Sequence, residues 1–137
     1  MASKITYIVS DINRAIAFEW IAEELNRKIF DLSFVLIQNS DSILESRLRS
    51  LKISFICIPY RSKKDLPSAV WKTRSFLKKN GTEIVHAHLF TASFIGLTAA
   101  RLAGIRYRIY TRHYASMNHR YFPAAVKWDK YMSRSAT

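Results

Sequence analysis

Apolar positions along this chain gather into five short blocks: ITYIV at 5–9, LSFVLI at 32–37, ISFICI at 53–58, EIVHA at 83–87 and YRIYT at 107–111. β-Branched and aromatic residues dominate them, so each reads as a strand, and the more continuous blocks suit strands covered on both faces. Between the blocks the apolar spacing turns helical. Residues 14–28 place Ala15, Phe18, Ala22 and Leu25 on one stripe, with Asp11 or Asn13 available as a cap. Residues 67–79 start at Pro67 behind a candidate cap, Asp65, carry Lys78 and Lys79 in the last turn, and meet Gly81 beyond it. Residues 91–103 are apolar nearly all round and stop at Gly104, which predicts a helix buried on more than one side. A last helix is expected over 123–134, and a short one within the polar stretch 38–49. Strands alternating with helices imply right-handed crossovers. The expected fold is α/β: a doubly wound, mainly parallel Rossmann-like sheet with helices on both faces.

Length and composition narrow this to one domain, since 137 residues with 49% hydrophobic side chains suffice for a single core. Charge adds a direction. Twenty-two Lys and Arg against ten Asp and Glu leave +12, which points to a polyanionic neighbour: nucleic acid, an anionic membrane face or a phosphorylated ligand. Residues 101–137 carry eight basic side chains and one acidic one, so the excess is regional. Cys57 is the only cysteine, which excludes an internal disulfide or a cysteine zinc site and favours a reducing compartment. No run of about 18 apolar residues occurs, and the first apolar stretch is too short for a signal-peptide core. A cytoplasmic location follows as the expectation.

In an open parallel sheet the ligand crevice lies outside the carboxyl ends of the strands. The residues there are Ser10 and Asp11, Gln38 and Asn39, Tyr60 and Arg61, His88, and Thr111, Arg112 and His113. No GxGxxG follows the first strand and no GxxxxGK[ST] occurs, so neither a dinucleotide fingerprint nor a P-loop is present. A phosphoacceptor domain would want an acidic pair after strand one and an Asp after strand three; Asp11 stands alone and strand three ends in Pro59 and Tyr60. A metal triad of His86, His88 and His113 lacks an obvious carboxylate to complete it. The plainer expectation is that His86 packs within the sheet and His88 shapes a loop.

The segment TEIVHAHLFTASFIGLTAARLAGIRYRIYTRHY at 82–114 is more specific: an HxH at a strand end, a helix of small residues ending in Gly, and a strand closing on TxH. With ITYIVS, EWIAEELNR, the Leu51–Ile53 step and IPYRSKKDLP in the same order, it resembles the N-terminal domain of family 4 glycosyltransferases. These are retaining nucleotide-sugar enzymes of the GT-B fold, many of which build bacterial surface polysaccharides. The resemblance covers practically the whole chain. It implies that residues 1–137 form one acceptor-side domain, ending before its last strand, and that the nucleotide-sugar domain with its paired glutamates lies elsewhere. The chain alone is then expected to be inactive. A nucleotide sugar would be a substrate, and no cofactor or metal is implied.

Residue by residue, the resemblance implies that His113 faces the transferred sugar and its diphosphate as the catalytic-side histidine. The loop after strand one usually carries Gly-Gly in this family; here it reads Ser10, Asp11, Ile12, Asn13, Arg14, so donor contact from Asp11 and Arg14 would rest on side chains. Asp11 serves equally well as a helix cap. Arg61, His88, Arg112, Tyr114 and His119 would border the acceptor cleft. For Arg61, Lys63 and Lys64 a solvated charge run is the alternative; for Arg112, a structural pair with a neighbouring acid. Lys127, Trp128, Lys130, Tyr131 and Arg134 either meet anionic headgroups, giving a peripheral seat at the inner membrane face, or pack on the protein. Two other functions fit less well. One is a non-catalytic partner subunit of a glycosyltransferase; the other is a basic nucleic-acid-binding module, for which no zinc finger, RRM signature or helix-turn-helix is visible.

Overall fold

The computed structural model describes residues 2–12, 16–25, 29–112 and 123–137. Five strands, β1 (Ser3–Ser10), β2 (Phe30–Ile37), β3 (Ser54–Ile58), β4 (Ile84–His88) and β5 (Tyr107–Thr111), form one sheet in the order β3-β2-β1-β4-β5. Every pairing is parallel. The sequence expectation of a doubly wound sheet therefore holds, and its physical basis is visible in the strands: β1 and β2 each bury their last six residues without alternation, as strands covered on both faces must.

The helices divide by face. α1 (Ile16–Glu24) and α2 (Ile43–Ser50) cover one side through Phe18, Ala22, Leu44 and Leu48, which pack with Tyr7, Phe34 and Leu36. α3 (Leu66–Asn80) and α4 (Phe90–Leu102) cover the other with Ala69, Leu77, Ile95 and Ala99 against Ile8, Val35 and Val85. α5 (Val126–Ser135) packs on α4, where Tyr131 shares a 2.8 Å hydrogen bond with Thr98 and its ring lies 5.3 Å from Phe94.

Small residues let α4 sit close to the sheet. A Cβ on Gly96 would stand 2.7 Å from Ile8 Cδ1, so only glycine fits without a shift. At the other end of the strands a buried hydroxyl chain joins Thr6 to Ser33 (2.7 Å) and Thr82 (2.6 Å), with Asn80 donating to Ser33 at 2.9 Å. This network satisfies polar groups that would otherwise be costly inside a sheet. It anchors the N-terminal edge and leaves the opposite edge for ligands.

The two ends of α3 are closed by different means. Gly81 ends α3 in the left-handed conformation (φ 68°), as its position in the sequence predicted. Asp65, expected to cap α3, makes no cap hydrogen bond to that helix. Its carboxylate instead accepts from the backbone N–H groups of Arg61 (2.7 Å) and Ser62 (3.1 Å), closing the tight turn Lys63–Asp65 in a capping box with Ser62. Those N–H donors hold the Asp65 carboxyl below its ordinary range.

Candidate functional site

The strand order reverses direction at β1: its crossovers to β2 and β3 run one way, while β4 and β5 lie on its other side. The carboxyl ends of β1 and β4 therefore form the switch point at which such sheets bind ligands. The two ends are tied together, because Ser10 Oγ accepts from the Ala92 N–H in the first turn of α4, at 3.3 Å. Asp11 follows with a positive φ of 51°, exposed, its N–H donating to the Ile37 carbonyl. Its side chain lines a polar recess of about 280 Å³ with Gln38, Asn39, Asp41 and Ser42.

The next strands are clamped to the same rim. Asn39 donates to the Tyr60 carbonyl at 2.8 Å and accepts from the Tyr60 N–H at 2.9 Å, joining the ends of β2 and β3. Arg61 beside it is exposed. β4 passes into α4 through one residue, Leu89, at φ 71° and ψ 161°. That conformation is ordinarily left to glycine, and strain of this sort clusters at functional sites.

His86 and His88 point to the α1 side with rings 4.2 Å apart. His88 is 8% exposed and lies edge-on to Phe18 at 4.8 Å, so it belongs to a packed aromatic group with Tyr7 rather than to an open loop. His86 Nε2 is 2.8 Å from Thr111 Oγ1 on β5, and burial pushes its pKa down. Arg112 donates to Asp129 of α5 at 2.8 Å, with the Asp129 side chain only 6% exposed. The structural pairing left open for this arginine is thus present. His113, Arg14, Tyr114 and His119 lie outside the described residues.

Much of the C-terminal basic excess has a structural use. Arg101 donates to Ser135 Oγ and Arg108 to the Ser135 carbonyl; outside that stretch, Arg74 of α3 donates to the carbonyl of Leu102. Trp128 stands edge-on to Phe94 at 5.3 Å, with Lys127 Nζ 5.1 Å from its ring centre. Sequence reasoning missed the Ser10 link to α4 and the strained Leu89. The first joins residues 82 apart, and the second has no local signal in a leucine. Among the described residues no cluster of three His, Cys, Asp or Glu side chains is placed to hold a metal, and no helix is long and apolar enough to cross a membrane.

A switch-point crevice on a five-stranded parallel sheet defines a Rossmann-like lobe of the type found in GT-B glycosyltransferases. The chain belongs to Glycosyltransferase Family 4, whose pattern matches residues 20–136. No curated protein matches it in sequence. Among solved structures it is similar to the lipopolysaccharide outer core galactosyltransferase WaaB in its apo form (TM-score 0.66, 15% identity, 91% of this chain and 37% of that one). It is also similar to Acinetobacter baumannii MurG (TM-score 0.60, 15% identity, 79% and 34%) and to a UDP-N-acetylglucosamine 2-epimerase (TM-score 0.56, 16% identity, 80% and 32%). The chain spans about a third of the length of each. At such identities the likeness is one of fold.

Proposed function

We propose that this chain is the acceptor-side lobe of an enzyme that moves a sugar from a nucleotide-sugar donor to a hydroxyl acceptor, with retention, in polysaccharide or lipid-linked glycan synthesis. The observation that carries this is the family match over residues 20–136. The fold by itself would not distinguish transfer from other nucleotide-sugar chemistry, since the similar 2-epimerase has it too. The nucleotide would be held largely by a second lobe.

In this reading Asp11 and Arg14 approach the donor from the β1 end, and His113 follows β5 toward the sugar and its diphosphate. A histidine N–H there stabilises negative charge as it develops on the leaving phosphate, an electrostatic effect that costs no reorganisation when the donor is already aimed. Arg61, Arg112, Tyr114 and His119 border the acceptor. His88 acts through packing, by fixing the end of β4. A peripheral seat on an anionic membrane fits the basic α3–α5 side, where each Lys or Arg near the surface contributes about 1 kcal/mol.

Turnover of the full-length, two-lobed enzyme tests the reading. His113→Ala should lower kcat roughly 100- to 1,000-fold, the cost typical of removing one transition-state donor. An unchanged rate would remove His113 from the chemistry. The 137-residue chain alone should transfer no sugar, and measurable transfer by it would overturn the division into lobes.

A further inference from the structure

The two edges of the sheet end differently. At β5 the outer edge meets Thr137, whose N–H donates to the Arg108 carbonyl at 2.8 Å and whose Oγ1 accepts from the Arg108 N–H at 2.8 Å. At β3, the opposite edge, no backbone hydrogen bond reaches the outer side among the described residues. One bond shows which groups face outward. The Gln38 N–H donates to the Ile58 carbonyl at 3.1 Å, so Ile58, and with it Ile56 and Ser54, turns its polar groups toward β2. The N–H and C=O groups of the alternate residues, Phe55 and Cys57, therefore point away from the sheet. The row stops at both ends, because the Ile53 N–H is taken by the Leu48 carbonyl at 3.0 Å and Pro59 has no N–H.

Protein edges are commonly blunted by a lysine, a proline, a bulge or an inward charge. The strand SFICI carries no such residue, and Cys57 is exposed. The edge also complements itself. With a two-fold axis through Ile56, Phe55 meets Cys57 of a second copy and Cys57 meets its Phe55, and each such pair exchanges both backbone hydrogen bonds. No other antiparallel register uses both residues. Charge fits the same arrangement. Arg47 turns to Glu23 of α1, whereas Glu45 and Arg49 turn toward β3: Gln38 donates to Glu45 Oε2 and to the Cys57 sulfur, and the Arg49 guanidinium lies 5.3 Å from the Phe55 ring centre. Glu45 thus stands by Cys57 and Arg49 by Phe55. Because the two-fold reverses the strand, each Arg49, its side chain 70% exposed, comes alongside Glu45 of the other copy. The 2.9 Å pair within each α2 becomes part of a ring of alternating charge.

We propose that β3 is a self-association edge, pairing antiparallel with β3 of a second copy of this chain and continuing the sheet across the two-fold. The contact runs along the side of the sheet, so the crevice at the strand ends stays open in both copies. Pairing of this kind neither needs nor tests the sugar-transfer reading. A five-residue strand buries little area, so the association is weak, in the micromolar range.

Sedimentation of the 137-residue chain from about 5 to 500 μM, a range that brackets weak interfaces, should show a reversible monomer–dimer equilibrium. Amide hydrogen exchange reads the register without any substitution, and so decides even where a variant fails to fold. The Phe55 and Cys57 amides should slow roughly tenfold once about nine-tenths of the chain is paired, since exchange then runs through the unpaired tenth. Arg49→Glu and Glu45→Lys should each remain monomeric, and mixing the two should restore the dimer, because only the mixed pair sets opposite charges across the axis. Under oxidation, Ile56→Cys in a Cys57→Ser background should crosslink, as facing residues without mutual hydrogen bonds stand about 4.5 Å apart at Cα, within disulfide reach. Cys57 of the parent chain, set opposite Phe55, should not. A monomer at every concentration, a mixture of the two charge variants that stays monomeric, or a crosslink through Cys57 would overturn the proposal. Protection of the Phe55 and Cys57 amides that does not depend on concentration would overturn it too, by assigning the edge to a segment of the same chain.

Discussion

The two sides of the sheet solve the same packing problem with different materials. On the α1–α2 side the core is aromatic: Tyr7 stacks on Phe34 at 5.4 Å and meets Phe18, His86 and His88. The rim above it is a polar recess bordered by Asp11 and Asp41. On the α3–α5 side the core is aliphatic and built on alanines, while the aromatics sit at the rim, around a pocket lined by Phe90, Phe94 and Trp128. Aromatic residues in this chain therefore do two jobs. Inside they fill volume under short helices; at the rim they wall a cavity that longer helices leave open. A ligand spanning the crevice would meet hydrogen-bonding groups on one side and apolar surface with positive charge on the other.

Substitutions can break this contrast. The largest stability effect is expected at the Arg112–Asp129 pair, which ties the end of β5 to α5. Arg112→Ala should cost up to about 3 kcal/mol in denaturant unfolding, because the ion pair to a carboxylate only 6% exposed is lost; partial exposure of the arginine keeps the figure at the low end for such pairs. If the loss is negligible, α5 is held by its contacts with α4 and by the bonds from Arg108 and Tyr110 of β5 to Ser135 and Ser133. Gly96→Ala should follow at about 1–3 kcal/mol, since the new methyl meets Ile8 in a core with no slack. Neutral behaviour would mean that α4 can back away from β1, and that the aliphatic side is softer than its packing implies.

Acid should distinguish the sides more gently. Burial lowers the His86 pKa, so the folded protein favours the neutral ring. Stability from this source is complete above the unfolded value of about 6.5 and falls as pH drops below it toward the lower folded value. Comparing unfolding midpoints at pH 7.5 and 5.5, His86→Gln should flatten part of the decline seen in the parent chain; identical slopes would show that His86 does not contribute. The smallest effect is expected at Cys57. Partial burial and the Glu45 carboxylate push its thiol up to about 11, so alkylation at pH 7.5 should be slower than for an unshielded cysteine, and Glu45→Gln should speed it.

The strands were readable in the sequence because burial on both faces writes continuous apolar runs, as in LSFVLI, where six residues in a row are buried. Helix ends were readable where glycine was required, at Gly81 and Gly104, both at positive φ. Asp65 was misplaced because an acid just before Pro67 looks like a helix cap, while its real partners are backbone amides three and four residues earlier. The rim could be identified as a set of strand-ending residues. Its internal bonds could not: Ser10 to Ala92, Asn39 to Tyr60 and Arg112 to Asp129 depend on which strands become neighbours, information that no local pattern carries. The pocket around Trp128 was hidden for the same reason, since its walls come from three separated stretches of chain.

Leu89 has a mechanical meaning beyond its strain. Where one residue joins β4 to α4, there is no spare chain, and the helix leaves the strand like a bracket bolted at a fixed angle. Ser10 fastens the same corner from the neighbouring strand. Anything that presses on the first turn of α4 must therefore move the sheet with it, so the corner serves as a fixed datum from which distances across the crevice are set. Leu89→Gly would ease the backbone and put play into that joint.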